Sequence, residues 1–418
     1  CALPILSRST LATLGLQLAF VAGVAAPAAA QFTWPSGYLQ TVPLVTGSTA
    51  LPESESTASD FNRFRLMVEP DWDRLAVEVA YEHAATIRTQ PTRGGVGVVP
   101  GGGEWMDLQW TITDEEHVLW QHRFDRLNLS WRPTRAVQFS AGRQAVSWGT
   151  TLFLTPGDPF LPFSPADPFR QFRAGVDAAR LRIYPSPLSE IDVVVRGTRN
   201  EFVDDVMPAG LGRAPTTSDV EEVTALARGL TTIANWELSG WGGTLYGDAV
   251  GAVGAAGSIG AWAVRGEGVV RQLDDSVIFR GSLGLDRQVQ VNGRDLFLLV
   301  EYQHDELAAS EPDDYVALLV SEPFLRGELQ VLGRDETVVQ GSYQLHPLWS
   351  LSGLWIFNAH DQSSLVSPSF AYSVSNEASL NGGLFFGFGD DESTLARPLP
   401  SEYGLTGVTA FVSLSWHF

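Results

Sequence analysis

From Thr406 to Phe418 the chain reads TGVTAFVSLSWHF, with its apolar residues on every second position. Val408, Ala410, Val412, Leu414, Trp416 and Phe418 share one face of a strand built from it. Gly407, Thr409, Ser413, Ser415 and His417 share the other, with Phe411 the exception. A helix repeats its faces roughly every 3.6 residues, so a period of two sustained over this stretch specifies a strand. Its apolar face needs a cover, either the core of a β-sandwich of which it is an edge, or lipid.

The same period recurs throughout. Strand-like segments fall at about 60–70, 74–86, 118–132, 136–147, 175–185, 189–199, 232–247, 258–272 and 276–287. Others follow at about 294–305, 314–321, 326–334, 337–345, 349–360, 364–374, 377–389 and 404–418, and a weaker one at 38–46. Val277, Phe279, Leu283 and Leu285 oppose Arg280, Ser282 and Asp286; Ala179, Leu181 and Ile183 oppose Arg180 and Arg182. A sandwich turns its apolar faces inward, whereas a membrane barrel turns them to lipid and fills its lumen with polar groups. Regular Arg and Glu on the second face favour the barrel.

Composition narrows the partners. The 27 basic residues are all Arg, and with 48 acidic residues the net charge is −21. Nucleic-acid binding needs a basic face and is excluded as a function class. Outside the N-terminus no run approaches the roughly 18 apolar residues of a spanning helix. Cys1 is the only thiol, so disulfide and cysteine–metal chemistry are absent. Residues 1–30 read as a secretory signal: Arg8, an apolar stretch from Leu11 to Ala26, a break at Pro27, and Ala28-Ala29-Ala30 before Gln31. Residues 31–59 form an N-terminal segment that holds the weak first strand, and 60–418 form the barrel.

Loop lengths give the topology. Arg132-Pro133-Thr134-Arg135, Pro185-Ser186-Pro187-Leu188 and His346-Pro347-Leu348 are tight turns; 87–117, 148–174, 200–231 and 389–403 are long and irregular. In outer-membrane barrels the turns are periplasmic and the long loops external. Counted back from Phe418, this parity holds if both weak segments, 38–46 and 314–321, are strands. The expectation is an all-β transmembrane antiparallel β-barrel of about 18 strands, with 16 the alternative.

Several stretches carry a family likeness. The segment ending on Phe418 resembles the terminal strand of Gram-negative outer-membrane β-barrels, which implies reading by the barrel-assembly machinery through Trp416 and Phe418. Gly142-Arg143-Gln144 and Trp148-Gly149 end one strand; Arg170, Arg173, Gly175, Asp177 and Arg180 open the next. With Asn358-Ala359-His360-Asp361-Gln362-Ser363 they resemble porin-like and alginate-export-like outer-membrane barrels. The resemblance implies a diffusion channel among outer-membrane lipid and lipopolysaccharide, passing small solutes, with homo-oligomers common among such porins.

Between the two Arg-bearing strand ends, Pro156, Pro159, Pro162, Pro165 and Pro168 recur every third residue, the repeat of polyproline II. Phe160, Phe163, Phe169, Asp158 and Asp167 decorate this strap, which reads either as a constriction entering the lumen, flanked by Arg170 and Arg173, or as a stiff external loop. On the presumed lumen face stand Arg132, Arg180, Arg182, Arg196, Arg265, Arg280 and Arg326, with Asp192, Glu267, Asp286, Glu301 and Glu328. They form either a positive track for anionic solutes or cross-strand ion pairs bracing the wall. Acids at Glu201, Asp204, Asp205, Asp219, Glu221 and Glu222 read as a solvated loop, without calcium-loop spacing. No nucleophile elbow, phosphate loop or HExxH helix occurs, and no cofactor is expected. The readings are a porin-like channel, then a structural or surface-interaction barrel closed by its loops, then a barrel-embedded hydrolase.

Overall fold

The computed structural model describes residues 35–49, 55–90, 103–160, 162, 172–203, 217–395 and 397–418. The expected signal segment, 1–30, lies outside them. Twenty strands form one antiparallel sheet: β1 (Ser36–Thr46), β2 (Thr57–Val68), β3 (Asp71–Trp72), β4 (Leu75–Arg88), β5 (Gln109–Glu115), β6 (Val118–Thr134) and β7 (Val137–Gln144). Next come β8 (Val176–Ser186), β9 (Ser189–Val203), β10 (Thr217–Ile233), β11 (Trp236–Leu245), β12 (Asp248–Ile259), β13 (Trp262–Gln272) and β14 (Val277–Val291). The last are β15 (Arg294–Asp305), β16 (Asp335–His346), β17 (Trp349–Asn358), β18 (Ser364–Ser373), β19 (Ala378–Phe388) and β20 (Thr409–His417).

Eighteen of these make the wall. The short β3 pairs only with the foot of β4, and β5 only with the top of β6. The ring closes where β1 meets β20, and Gly37 and Phe418 exchange backbone hydrogen bonds of 2.9 and 3.0 Å. Every wall strand therefore has two neighbours, and no unpaired edge faces the membrane.

Exposure follows the sequence alternation. Val408, Val412, Leu414, Trp416 and Phe418 stand on the exposed outer face, while Ser413 and Ser415 are buried inside. Phe411, out of step in the sequence, points inward and packs with Val42, Leu44 and Phe61. At the short-turn rim Trp72, Trp131, Phe139, Trp349 and Trp416 form an outward aromatic belt, with Trp349 stacked on Tyr372 at 4.4 Å. Such rings suit the boundary between hydrocarbon and water.

The count of eighteen agrees with expectation, but four segments differ. Residues 314–321 and 326–334 are not strands: Pro312–Asp314, Tyr315–Leu319 and Glu322–Leu325 are short helical turns, and a loop follows. Conversely, β10 and β12 fall where 200–231 was read as loop and 248–257 as connection. Their outward positions set only Val223 and Val253 among Ala225, Ala227, Gly229, Ala249, Gly251 and Ala255, which leaves the apolar period faint. Inward they carry Leu226 and Val250, which inverts the usual polar lumen face. The two errors cancel in the count. Glu221 and Glu222 consequently belong to β10, while Arg326 and Glu328 belong to the loop 306–334.

Candidate functional site

The loop between β7 and β8 turns into the barrel. β7 is the fifth wall strand and β15 the thirteenth, eight steps apart where half the ring is nine. Segment 145–160 spans that distance, because its residues are bonded to both sides. On the near side Trp148 is buried, meets Phe160 edge-on at 5.1 Å, and donates its indole N–H to Asp192 at 2.9 Å. It sits with Val176, Val194, Leu226, Trp241 and Val269 in an apolar cluster inside the barrel. On the far side Leu154, fully buried, packs with Leu299, Val338, Ile356 and Leu365. Burying one such side chain contributes about 1.5–3 kcal/mol.

Two wall carboxylates fasten the backbone between these anchors. Glu301 on β15 accepts the N–H groups of Leu152, Phe153 and Leu154 at 2.6, 2.7 and 3.0 Å. Glu267 on β13 accepts those of Thr150 and, at 2.8 Å, Gly157. Successive N–H groups converging on one carboxylate form an anion-binding nest, here filled by the protein's own side chain. A Cβ at Gly157 would lie 2.8 Å from the Glu267 carboxyl carbon, so a larger residue there would have to displace that carboxyl group. Thr151 and Ser282 of β14 share a further hydroxyl bond of 2.7 Å.

The start of the proline strap is a turn rather than polyproline II. The N–H of Asp158 bonds the Thr155 carbonyl at 3.0 Å, with Pro156 at the second position. Asp158 then accepts from Ser147 at 2.9 Å and pairs with Arg173, closing the loop's base. Phe163, Asp167 and Arg170 lie outside the described residues, as do Pro165, Pro168 and Phe169.

Arg180, Arg182, Arg196, Arg265, Arg280 and Glu301, all expected at the lumen, share the inward face. Register sets Ala178 against Arg196 and Arg182 against Asp192, which places Arg180, Arg182 and Arg196 together. Most are paired. Arg180 grips Asp192 with two bonds, 2.8 and 2.6 Å; Arg280 grips Asp305 at 2.8 and 2.7 Å; Arg265 pairs with Asp286. Arg196 donates to the Tyr246 hydroxyl at 3.2 Å, and Glu301 is occupied by the loop. Arg182 differs, having no carboxylate partner among the described residues. Neither has Arg228 of β10, which faces the other flank of Asp192. Sequence reasoning passed over Arg228 because β10 itself was unseen.

It also missed the densest ionic group. Arg65 bridges Glu82 and Asp125 at 2.6 and 2.7 Å, Arg123 joins Glu82 at 2.5 Å, and Arg126 joins Asp125 at 2.7 Å. The alternation Arg63, Phe64, Arg65 on β2 signalled it.

The loop 306–334 completes the enclosure from the long-loop rim. Arg326 bonds Glu222 of β10 at 3.0 Å, and Glu328 accepts from Arg271 of β13 at 2.6 Å. Gln330 accepts the N–H of Thr155 at 2.6 Å and returns a bond to the Phe153 carbonyl at 2.7 Å, so the two loops meet. A small pocket between them is lined by Pro156, Pro159, Pro162, Arg271, Arg280 and Arg326. Among the described residues no three His, Cys, Asp or Glu side chains are arranged to hold a metal.

The sequence matches no described protein family and no curated protein. Its structure is similar to OccAB1 of Acinetobacter baumannii, with a TM-score of 0.55, 10% identity, and coverage of 92% of this chain and 96% of that one. It is also similar to OccD3 (OpdP) of Pseudomonas aeruginosa, at 0.51, 12%, and 94% against 93%. A BenF-like porin of Pseudomonas fluorescens Pf-5 matches at 0.52, 10%, and 93% against 100%. At such identities the likeness is one of fold: a porin-type outer-membrane barrel.

Proposed function

We propose that the protein is a porin-like channel of the bacterial outer membrane through which small hydrophilic solutes, anions preferred, diffuse down their gradient. One observation carries this reading: a loop of the wall crosses the lumen and is tied by Glu267 and Glu301 to the opposite side. A barrel serving only as a scaffold has no need of a fixed internal partition, whereas a selective pore has. Pro156, Asp158, Phe160 and Arg173 then belong to the constriction, with Phe163, Asp167 and Arg170 as its continuation. Arg180, Arg182, Arg196, Arg265, Arg280 and Glu301 line the wall around it.

Anion preference rests on Arg182 and Arg228. Asp192, between them in register, is held by Arg180 and the Trp148 indole; neither Arg182 nor Arg228, the latter with Glu190 and Glu237 on its flanking strands, forms an ion pair among the described residues, so both lend positive potential to the lumen. The likeness of the GRQ…WG strand end to alginate-export barrels rests on those residues alone. In the outer membrane the aromatic belt sits at the periplasmic boundary. Lipid, lipopolysaccharide on the acidic external side, and further copies of the chain are its neighbours, and Trp416 and Phe418 are the contacts of the assembly machinery.

A second reading, a barrel closed by its loops, is favoured by the bonds joining segment 145–160 to loop 306–334. Single-channel current across a planar bilayer under a salt gradient separates the two. A steady conductance with an anion-selective reversal potential supports the channel, and deleting 156–168 should raise it. A correctly inserted but silent barrel supports the closed reading, and conductance unchanged by the deletion removes the constriction.

A further inference from the structure

We infer that Glu336 and Glu402 share a single proton, and that this proton latches three loops together at the rim of the barrel. Glu336 stands on the inward face of β16 and is completely buried; one of its oxygens, Oε1, has no hydrogen-bond partner. Glu402, in the loop 389–408, accepts the N–H groups of Leu332 and Gly333 at 2.7 and 2.9 Å and the Asn358 amide at 2.9 Å. It thus ties its own loop to 306–334 and to the end of β17. Asp361, in the loop 359–363, accepts the Glu402 N–H at 2.7 Å, the Tyr315 hydroxyl at 2.8 Å and the Ser363 N–H at 2.8 Å.

Among the described residues the titratable side chains turned toward the pair are acids and phenols: Asp361, Tyr315 and Tyr403, whose hydroxyl lies 3.5 Å from Glu336 Oε2. No arginine or histidine is bonded to either carboxyl among the described residues. His360, next to Asp361 in the chain, is turned to Asp335 at 2.7 Å. Gly333 brings the two carboxyl groups together: its N–H bonds Glu402 at 2.9 Å, and a Cβ there would fall 2.7 Å from Glu336 Oε1. Two buried carboxylates without a cation between them repel each other strongly. One retained proton removes the repulsion and supplies the missing donor, giving a carboxyl–carboxylate hydrogen bond. Burial holds the Glu402 carboxyl above the ordinary carboxylate range, in the same direction.

Loss of the proton sets like charges against each other beneath the three loops. Above the pair's own pKa, each further pH unit lowers the latched fraction about tenfold. If the barrel is a channel, alkaline pH loosens its mouth; that consequence rests on the channel reading, the proton does not.

The full barrel, refolded into bilayers, allows separate tests. Infrared difference spectra of the wild type should show a protonated carboxylic acid at about pH 7 that is lost at alkaline pH and is missing from E336Q. Proteinase K nicking of the 389–408 loop, normalised to a control peptide, should rise about tenfold over the same wild-type pH range. In E336Q it should stay low, because the amide donates at every pH. Heat-modifiable gel mobility verifies that the variant has closed its ring. Absence of the wild-type acid band overturns the inference without reference to any variant, and so does nicking in E336Q that still rises with pH. A barrel that shows the band and the nicking but passes no current upholds the latch and removes the channel.

Discussion

Replacing Glu301 with alanine tests how the internal loop is held. The carboxylate accepts three successive N–H groups, and the side chain is fully buried. A hydrogen bond to a charged acceptor contributes about 1.5–3 kcal/mol where buried. Water in the lumen replaces part of that once the loop lifts, so about 1 kcal/mol per bond is a fair net figure. The docked state then loses roughly 3 kcal/mol, a shift on the order of a hundredfold in its equilibrium with lifted states. Glu267 still grips Gly157, so the loop should flicker rather than leave. In single-channel records E301A should show frequent brief excursions to higher current, and E267A/E301A should show them for longer. E301Q keeps one carbonyl oxygen but opposes an amide to the remaining N–H groups, so it should fall between wild type and E301A. Ring closure is independent of this contact, and gel mobility of the folded barrel should not change. Records of E301A that superimpose on the wild type would refute the fastening.

Three further outcomes follow from other contacts. Arg182→Glu with Arg228→Glu should move the reversal potential under a salt gradient from the anion toward the cation side; an unmoved potential excludes that row from selectivity. Trp148→Ala empties a buried site and strips Asp192 of a donor, at a cost of about 3–5 kcal/mol. This should appear as protease sensitivity of segment 145–160 at unchanged gel mobility. For pH, the sign follows from Glu402, whose carboxyl burial raises. The unfolded chain releases that proton near about pH 4.3, the folded barrel only higher, so its stabilisation is full at the acid end and declines as pH rises between the two. The urea midpoint should therefore fall as pH rises above the unfolded value, and E402Q should flatten the trend.

What the sequence disclosed was whatever alternation writes plainly. β14 and β20 set large apolar residues against polar ones, so the facing of both was readable, although β14 runs on to Val291 and β20 begins only at Thr409. β10 and β12 were hidden because small Ala and Gly residues fill much of their lipid faces, while Leu226 and Val250 turn inward to cover Trp148 and Tyr246. An inward apolar residue is a response to the folded-in loop, a tertiary fact that no local period records. Helical turns at 312–325 were mistaken for a strand because Tyr315, Ala317 and Leu319 also alternate. Facing was legible at the site: Arg180, Arg182, Arg280 and Glu301 occupy the same side of the wall. Partnership was not, since Glu301 meets residues about 150 positions earlier in the chain. The triplet spacing of prolines suggested a rod, and the hydrogen bond between Thr155 and Asp158 bends its beginning into a turn.

The seam between β1 and β20 also constrains how the barrel can be made. Its partners, such as Tyr38 and His417, stand 379 residues apart, a greater separation than at any other junction of the wall. Each other junction joins strands near in sequence and can zip locally, but this one forms only when both ends are present together. Until then two strands offer unsatisfied N–H and C=O groups, a form that water tolerates and hydrocarbon does not. Ring closure is thus the slow, long-range event of folding, and a fragment lacking either seam strand should remain an open sheet, prone to pair with its own kind.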